Sequence, residues 1–293
     1  MTGARRWLVT GASGQLGSDL QAVLDDGDDT VLAVGSSDLD VTDSAAVDAA
    51  VKEFAPDVLL NAAAYTKVDA AEQNEELAYR VNATGPGYLA AAMKRAGGRL
   101  VHVSTDYVFA GDATEPYEVA DPPAPRSAYG RTKLAGELAV RELHPEGASV
   151  VRTAWVYGST GSNFVRTMAR LERERETLTV VDDQHGSPTW SADLARALVQ
   201  LGSAPAPAGI YHCTGSGATT WYGFARAIFE ELGADPDRVL PTTSDAYPSA
   251  APRPAYSVLS DAAWRAAGLT PMPPWRDSLA AAFASAADAF RST

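Results

Sequence analysis

The chain has 293 residues, 46% apolar and 21% charged. That mixture supports a sizeable folded core and argues against disorder over most of its length. With 24 Lys plus Arg against 37 Asp plus Glu, the formal net charge is −13, which disfavours non-specific nucleic-acid binding but leaves a small anionic ligand open.

In chain order, the first half alternates strand-like and helix-like segments. Residues 7–10 form a short apolar run that leads directly into the glycine-rich 11–17. A helix is expected over 18–24, a strand over 30–34, and a helix over 44–54 capped by Asp43 or Ser44. A strand over 57–60 follows. Helices are expected at 72–81 and 84–95, the second stopped by Gly97-Gly98. Residues 99–104 read as a strand, 127–143 as a long helix and 149–155 as a strand. Alternating strands and helices imply βαβ units and a parallel sheet. The second half is less regular. Helices are expected at 163–175, 192–201, 221–232 behind Thr219-Thr220 as caps, and 277–290. Residues 203–209 read as a Pro/Ala linker, and 241–257 as irregular. The expected fold is an α/β, Rossmann-type doubly wound parallel sheet with a smaller C-terminal substrate-binding lobe. The dinucleotide-binding domain would span 1–155, with about 180–200 returning to it, and the lobe mainly 156–293.

The spacing of Gly11, Gly14 and Gly17, directly after a strand and before a helix, points to a dinucleotide pyrophosphate. Glycine allows close backbone approach, and the helix N-terminus offers free N–H groups. No carboxylate ends the second strand; Gly35, Ser36 and Ser37 stand there. Such an end favours NADPH, because nothing repels a 2′-phosphate and the two hydroxyls can receive it. Asp38 keeps NADH open. Asp40 and Val41 are candidates for adenine contact, or plain loop residues.

Tyr129 and Lys133 lie four residues apart, on one helical face. An ammonium beside a phenol favours phenolate, so a lowered Tyr129 pKa is expected, with the phenol able to donate a proton to a carbonyl oxygen. Lys133 could also hold the nicotinamide ribose. Ser104-Thr105 stands about 25 residues earlier, at the end of a strand. Ligands bind at that end of doubly wound sheets, and a Thr105 hydroxyl there can orient Tyr129.

Taken with the strings 61–66, 104–109, 152–158 and 183–189, the chain resembles the extended short-chain dehydrogenase/reductases, and among them the dTDP-4-dehydrorhamnose reductase family. The resemblance implies NADPH-dependent reduction of the C4 keto group of dTDP-4-dehydro-L-rhamnose to dTDP-L-rhamnose. It also implies residue roles. Tyr129 would be the proton donor, Lys133 its partner and Thr105 the tuning hydroxyl. Gly14, Gln15 and Leu16 match a pyrophosphate turn, and Asp40 and Val41 match adenine contacts. Ala64, Tyr65 and Thr66, preceded by Ala62 and Ala63, match the loop beside the nicotinamide ribose, and Val103 lies against the cofactor. Asp106 and Trp155 match positions that meet the deoxysugar, with Tyr107 beside them. Alternatives stay open: another nucleotide-sugar reductase, epimerase or dehydratase of this fold, or a non-enzymatic NADP-binding subunit similar to the methionine adenosyltransferase β-subunit.

Other residues carry two readings each. Trp155 contacts sugar or packs the core. Arg253, between Pro252 and Pro254, offers a guanidinium to a diphosphate or is a surface residue. Asn163 is a weaker substrate candidate. The four histidines show no metal-ligand spacing, so no metal is expected. The acidic stretch of Asp25, Asp26, Asp28 and Asp29 reads as a solvated face. Cys213 is the only cysteine, excluding an intrachain disulfide. No apolar run is long enough for a membrane span, and 7–9 is too short for a signal-peptide core. The expectation is a cytoplasmic protein, monomer or homodimer, with a nucleotide-sugar partner and neither membrane nor nucleic acid.

Overall fold

The structure, a computed structural model, describes residues 4–25 and 27–291. Its first half runs β1 (Arg6–Thr10), α1 (Gln15–Asp25), β2 (Thr30–Val34), α2 (Ser44–Phe54), β3 (Val58–Asn61), α3 (Val68–Ala71), α4 (Glu75–Tyr79), α5 (Gly85–Ala96), β4 (Arg99–Thr105), α6 (Ala128–Leu143) and β5 (Ala148–Thr153). The second half runs β6 (Val156–Tyr157), α7 (Phe164–Glu174), β7 (Leu178–Val181), β8 (His185–Gly186), β9 (Thr189–Trp190), α8 (Ser191–Ser203), β10 (Gly209–His212), β11 (Thr219–Thr220), α9 (Trp221–Leu232), β12 (Val239–Thr242), α10 (Ala262–Ala266) and α11 (Trp275–Arg291).

Six strands form one sheet, ordered β10-β5-β4-β3-β1-β2, and every pairing in it is parallel. β3 and β5 are buried along their whole length, as expected where helices cover both faces of a parallel sheet. One face packs Trp7, Val9, Leu20 and Leu198; the other packs Leu8, Val47, Leu89 and Val150. β1 turns to β2 on one side and is followed by β3 on the other. The strand order therefore reverses at β1, which opens a crevice above its C-terminal end.

Local chemistry sets several boundaries. Asp43 caps α2, accepting from Ala45 N and Ala46 N. Ser127 caps α6 through Gly130 N, and Thr220 caps α9 through Gly223 N.

Four expectations change. The helices expected at 72–81 and 84–95 are joined through a π-helical turn at Arg80–Thr84. The Asn82 side chain sits in this turn, accepting from Tyr65 N at 2.8 Å and donating to Tyr65 O at 3.1 Å. The strand β10, unassigned from the sequence, pairs with β5. The segments that return to the sheet core are α8, β10 and residues around Trp264, Leu269 and Met272, whereas β7 pairs with β12 in the second lobe. The lobe has its own aromatic core of Tyr157, Phe224, Phe229, Phe283 and Phe290. Finally, the acidic stretch is not wholly solvated. Asp29 accepts from Arg5 N at 2.8 Å and from Trp7 Nε1 at 2.7 Å, tying the start of β1; Asp26 lies outside the described residues.

Candidate active site

A cavity of about 860 Å³ opens above the C-terminal ends of β1 to β5, between the sheet domain and the lobe. Its floor begins with the glycine turn. Gly11 has φ +74°, and a Cβ there would lie 2.6 Å from Ala63 N; a Cβ on Gly17 would lie 2.1 Å from Gly11 O. Only glycine fits at both positions, and their backbone forms a cradle open to a ligand at the start of α1. Gly35, Ser36, Asp40 and Val41 line the adjoining end. The Asp38 carboxylate is engaged with Gly35 N at 2.8 Å, so it closes the end of β2 rather than lining the cavity.

At the other end Thr105, Asp106, Tyr107, Tyr129, Lys133, Trp155 and Arg253 share the cavity wall. Tyr129 stands in the first turn of α6, edge-on to Tyr107 with ring centroids 5.6 Å apart. Lys133, one turn on, is buried and its Nζ donates to Val103 O at 2.7 Å. Thr105 Oγ1 donates to Asp106 Oδ1 at 2.9 Å. Under this layer, Glu137 accepts both Arg152 Nη2 at 2.7 Å and Ser104 Oγ at 2.5 Å. That buried ion pair holds α6 against β4 and β5.

Burial dominates the titration of the site. It pushes Tyr129 up to about 12, with hydrogen bonding to Thr105 opposing the shift and the Asp106 charge adding to it. The expected lowering of Tyr129 by Lys133 is therefore corrected: desolvation raises the phenol, and the Lys133 ammonium donates to the Val103 carbonyl. The phenol stays protonated at neutral pH, the form that can donate. Burial also brings Lys133 down to about 8, against the Glu137 charge. Asp106 is raised to about 6 by burial, which hydrogen bonds with Ser257 and Thr105 reduce.

The residues from 5 to 287 match the family described as RmlD substrate binding domain. A dTDP-4-dehydrorhamnose reductase from Streptomyces griseus is 52% identical over 282 residues, covering 95% of this chain and 93% of that protein. The chain belongs to the RmlD family of dTDP-4-dehydrorhamnose reductases. The crystal structure of the dTDP-4-dehydrorhamnose reductase from Bacillus anthracis str. Ames in complex with NADP superposes with TM-score 0.92 at 40% identity, covering 97% of this chain and all (100%) of that one. A dTDP-4-keto-6-deoxy-D-glucose reductase from Streptomyces niveus is 49% identical, covering 95% of this chain and 96% of that protein.

Most of the reductase residues singled out from the sequence meet in the one cavity, Gln15, Leu16, Ala62, Ala63, Ala64, Thr66 and Val103 among them. Three do not line it. Ser37 Oγ lies 3.4 Å from Asp38 Oδ1. Tyr65 packs, as Tyr129 does, against the buried cluster of Ala71, Ala78 and Ala128. Asn163, expected to face substrate, caps α7 through Arg166 N, and its amide donates to Gln15 Oε1 and Gly158 O, both at 2.8 Å. It fastens the lobe to the glycine turn instead. Arg253 lines the cavity while ion-paired to Asp69, which also accepts from Ala251 N at 3.0 Å. Thr153 and Trp221 are among the lining residues that the sequence reading gave no role. Thr153 stands opposite Thr105 in the β4–β5 register, buried and without a partner for Oγ1 among the described residues. Trp221 reads only as the start of a helix. The signal for Thr153 was its position at the end of a parallel strand; for Trp221 there was none. Among the described residues, no group of three His, Cys, Asp or Glu is arranged to hold a metal. Nor is any helix there long and apolar enough to cross a membrane.

Proposed function

We propose that this chain reduces the C4 keto group of dTDP-4-dehydro-L-rhamnose to give dTDP-L-rhamnose, with NADPH as the reductant. The observation that carries the reading is the meeting of Tyr129, Thr105 and Lys133 in the same cavity as the glycine cradle.

The glycine backbone at 11–17 and the N-terminus of α1 would hold the cofactor's diphosphate. Ser36 would receive the 2′-phosphate, and Asp40 and Val41 would meet the adenine. Lys133 and Thr66 would hold the nicotinamide ribose, and the unpartnered Thr153 hydroxyl leaves room for one more polar contact. Bound NADPH supplies a hydride to C4. Tyr129 gives its phenolic proton to the O4 oxygen, so the C=O bond becomes CH–OH. Thr105 hydrogen-bonds the donor and keeps its geometry, while the Lys133 ammonium offsets the phenolate charge left behind. Asp106, Tyr107 and Trp155 form the sugar end, and Arg253 offers its guanidinium to the nucleotide diphosphate.

The Streptomyces niveus relative carries a name with the D-sugar, so product stereochemistry is part of the test. The purified chain is mixed with NADPH and the 4-keto-L-sugar nucleotide, and the product is identified by NMR. One NADPH consumed per dTDP-L-rhamnose formed is the expected result. An epimerase or dehydratase would turn over without net NADPH loss, and a regulatory subunit would bind NADPH without turnover. Either outcome would overturn the reading.

A further inference from the structure

Trp155 has an unusual setting. Its backbone lies in the left-handed region, φ +48°, where a bulky side chain is strained and persists only if its surroundings hold it. Trp221 stacks on one face of its indole, with centroids 3.6 Å apart and planes 8° apart. The opposite face lies on Gly186. A Cβ there would sit 2.3 Å from Cε2 and 2.6 Å from both Cζ2 and Nε1, distances that place it above the ring rather than at its rim. The two covers are themselves joined: Thr219 pairs with Gly186 in the β8–β11 ladder, and that ladder runs directly into Trp221. Phe164 backs Trp221 with centroids 4.5 Å apart.

Both faces of Trp155 are therefore covered, although the residue lines the cavity. It cannot offer a flat stacking surface to a sugar ring. What it offers is its edge, whose only hydrogen-bonding group is Nε1–H, and that group has no partner among the described residues.

We propose that Trp221 is a positioning residue: it clamps Trp155 against Gly186, so that the indole edge stands as a fixed N–H donor to an oxygen of the sugar. The proposal rests on the reading that Trp155 meets the sugar. Such a donor loses its value when its ring can swing, since small misplacements of a positioned group are costly.

The test compares Trp221→Ala, Trp221→Phe, Gly186→Ala and Trp155→Phe in the full-length protein. Readouts are KM for the 4-keto sugar nucleotide, kcat, NADPH Kd, melting temperature and the exciton couplet of the stacked indoles in circular dichroism. Trp221→Ala should raise KM by about tenfold, the scale of one lost hydrogen bond, with NADPH Kd within about twofold. Trp221→Phe should lose the couplet, yet keep KM near wild type, because a ring still covers the face. Gly186→Ala should raise KM from the opposite side and serves if Trp221→Ala does not fold. An unchanged KM in a folded Trp221→Ala protein would overturn the clamp, as would a loss of NADPH affinity equal to the rise in KM. If Trp155→Phe raises KM and neither clamp variant does, only the clamp fails. If Trp155→Phe itself leaves KM unchanged, the underlying reading of Trp155 as a sugar contact fails.

Discussion

The two halves of the cavity are built by different means. The sheet half is made of short-range devices: a strand, a glycine turn and a helix within 20 residues at Arg6–Asp25, and a phenol and ammonium one helical turn apart on α6. The lobe half is made of long-range ones: Trp155 held between Gly186 and Trp221, Arg253 held by Asp69, and Asn163 bonded to Gln15 across 148 positions of chain. In the proposed function the first half would carry the cofactor and proton chemistry, on the ends of parallel strands covered on both faces. The second would select what is presented to them, beside ladders of two strands each. Substitutions in the sheet half should therefore change kcat or cofactor affinity, and those in the lobe half should change KM for the sugar nucleotide.

The largest effect is expected from Tyr129→Phe. It keeps the ring and its contact with Tyr107 but removes the proton donor, so kcat should fall about 10²–10⁴-fold. NADPH affinity, measured by fluorescence titration, should stay within about twofold. Lys133→Met should instead damage both quantities, because the same side chain is read as serving the ribose and the phenolate. A Tyr129→Phe protein that turns over near the wild-type rate would erase the distinction between the halves. Arg253→Ala tests the other side. Loss of a charge-assisted contact, about 1.5–3 kcal/mol, should raise KM for the nucleotide sugar by about 10–150-fold and leave NADPH Kd in place. A parallel rise in NADPH Kd would mean that Arg253 serves both ligands.

Gly35→Asp should have a smaller effect, lowering kcat/KM with NADPH relative to NADH by about tenfold through charge repulsion. Its Cβ would stand 3.2 Å from Ser13 Oγ and 3.4 Å from Asp38 Oδ2, so some loss with both cofactors should accompany the shift. An unchanged ratio would remove the end of β2 from cofactor selection.

The smallest effects are in pH dependence, and their signs differ. Asp106 sits at about 6, above its ordinary 3.8. Its contribution to stability is present below about 3.8 and is lost as pH rises through 6. Asp106→Asn should flatten the fall in melting temperature across that window. Lys133 sits at about 8, below its ordinary 10.5, so its contribution is present above 10.5 and is lost as pH falls through 8. Activity should run the opposite way to that stability term, declining above about pH 8 as the ammonium is discharged. An activity profile flat to pH 10 would show that the charge on Lys133 is not used.

Much of the sheet half was legible because its signals are local. The limits of β2 and α2 follow from apolar runs bounded by turn residues and caps, as do those of α9 in the lobe. The glycine spacing, Thr105 and the Tyr129–Lys133 pair are read from positions close along the chain. The joined helix at Arg80–Thr84 was not legible, since its π-turn depends on an Asn82 amide satisfied by the distant Tyr65 backbone and Thr132 hydroxyl. Asn163 looked like a substrate contact because sequence shows a polar side chain but not the carbonyls and amides that consume it.

By itself the sequence determined the parallel α/β fold, the glycine cradle at 11–17 and the placing of Tyr129 one helical turn before Lys133, because each depends on residue types at fixed, short spacings. Only the tertiary structure decided that burial holds Tyr129 protonated, that Asp38 turns away from the cavity, that β10 joins β5, and that Trp155 presents an edge. Those outcomes depend on desolvation, and on contacts between segments tens to hundreds of residues apart, whose partners no local pattern names.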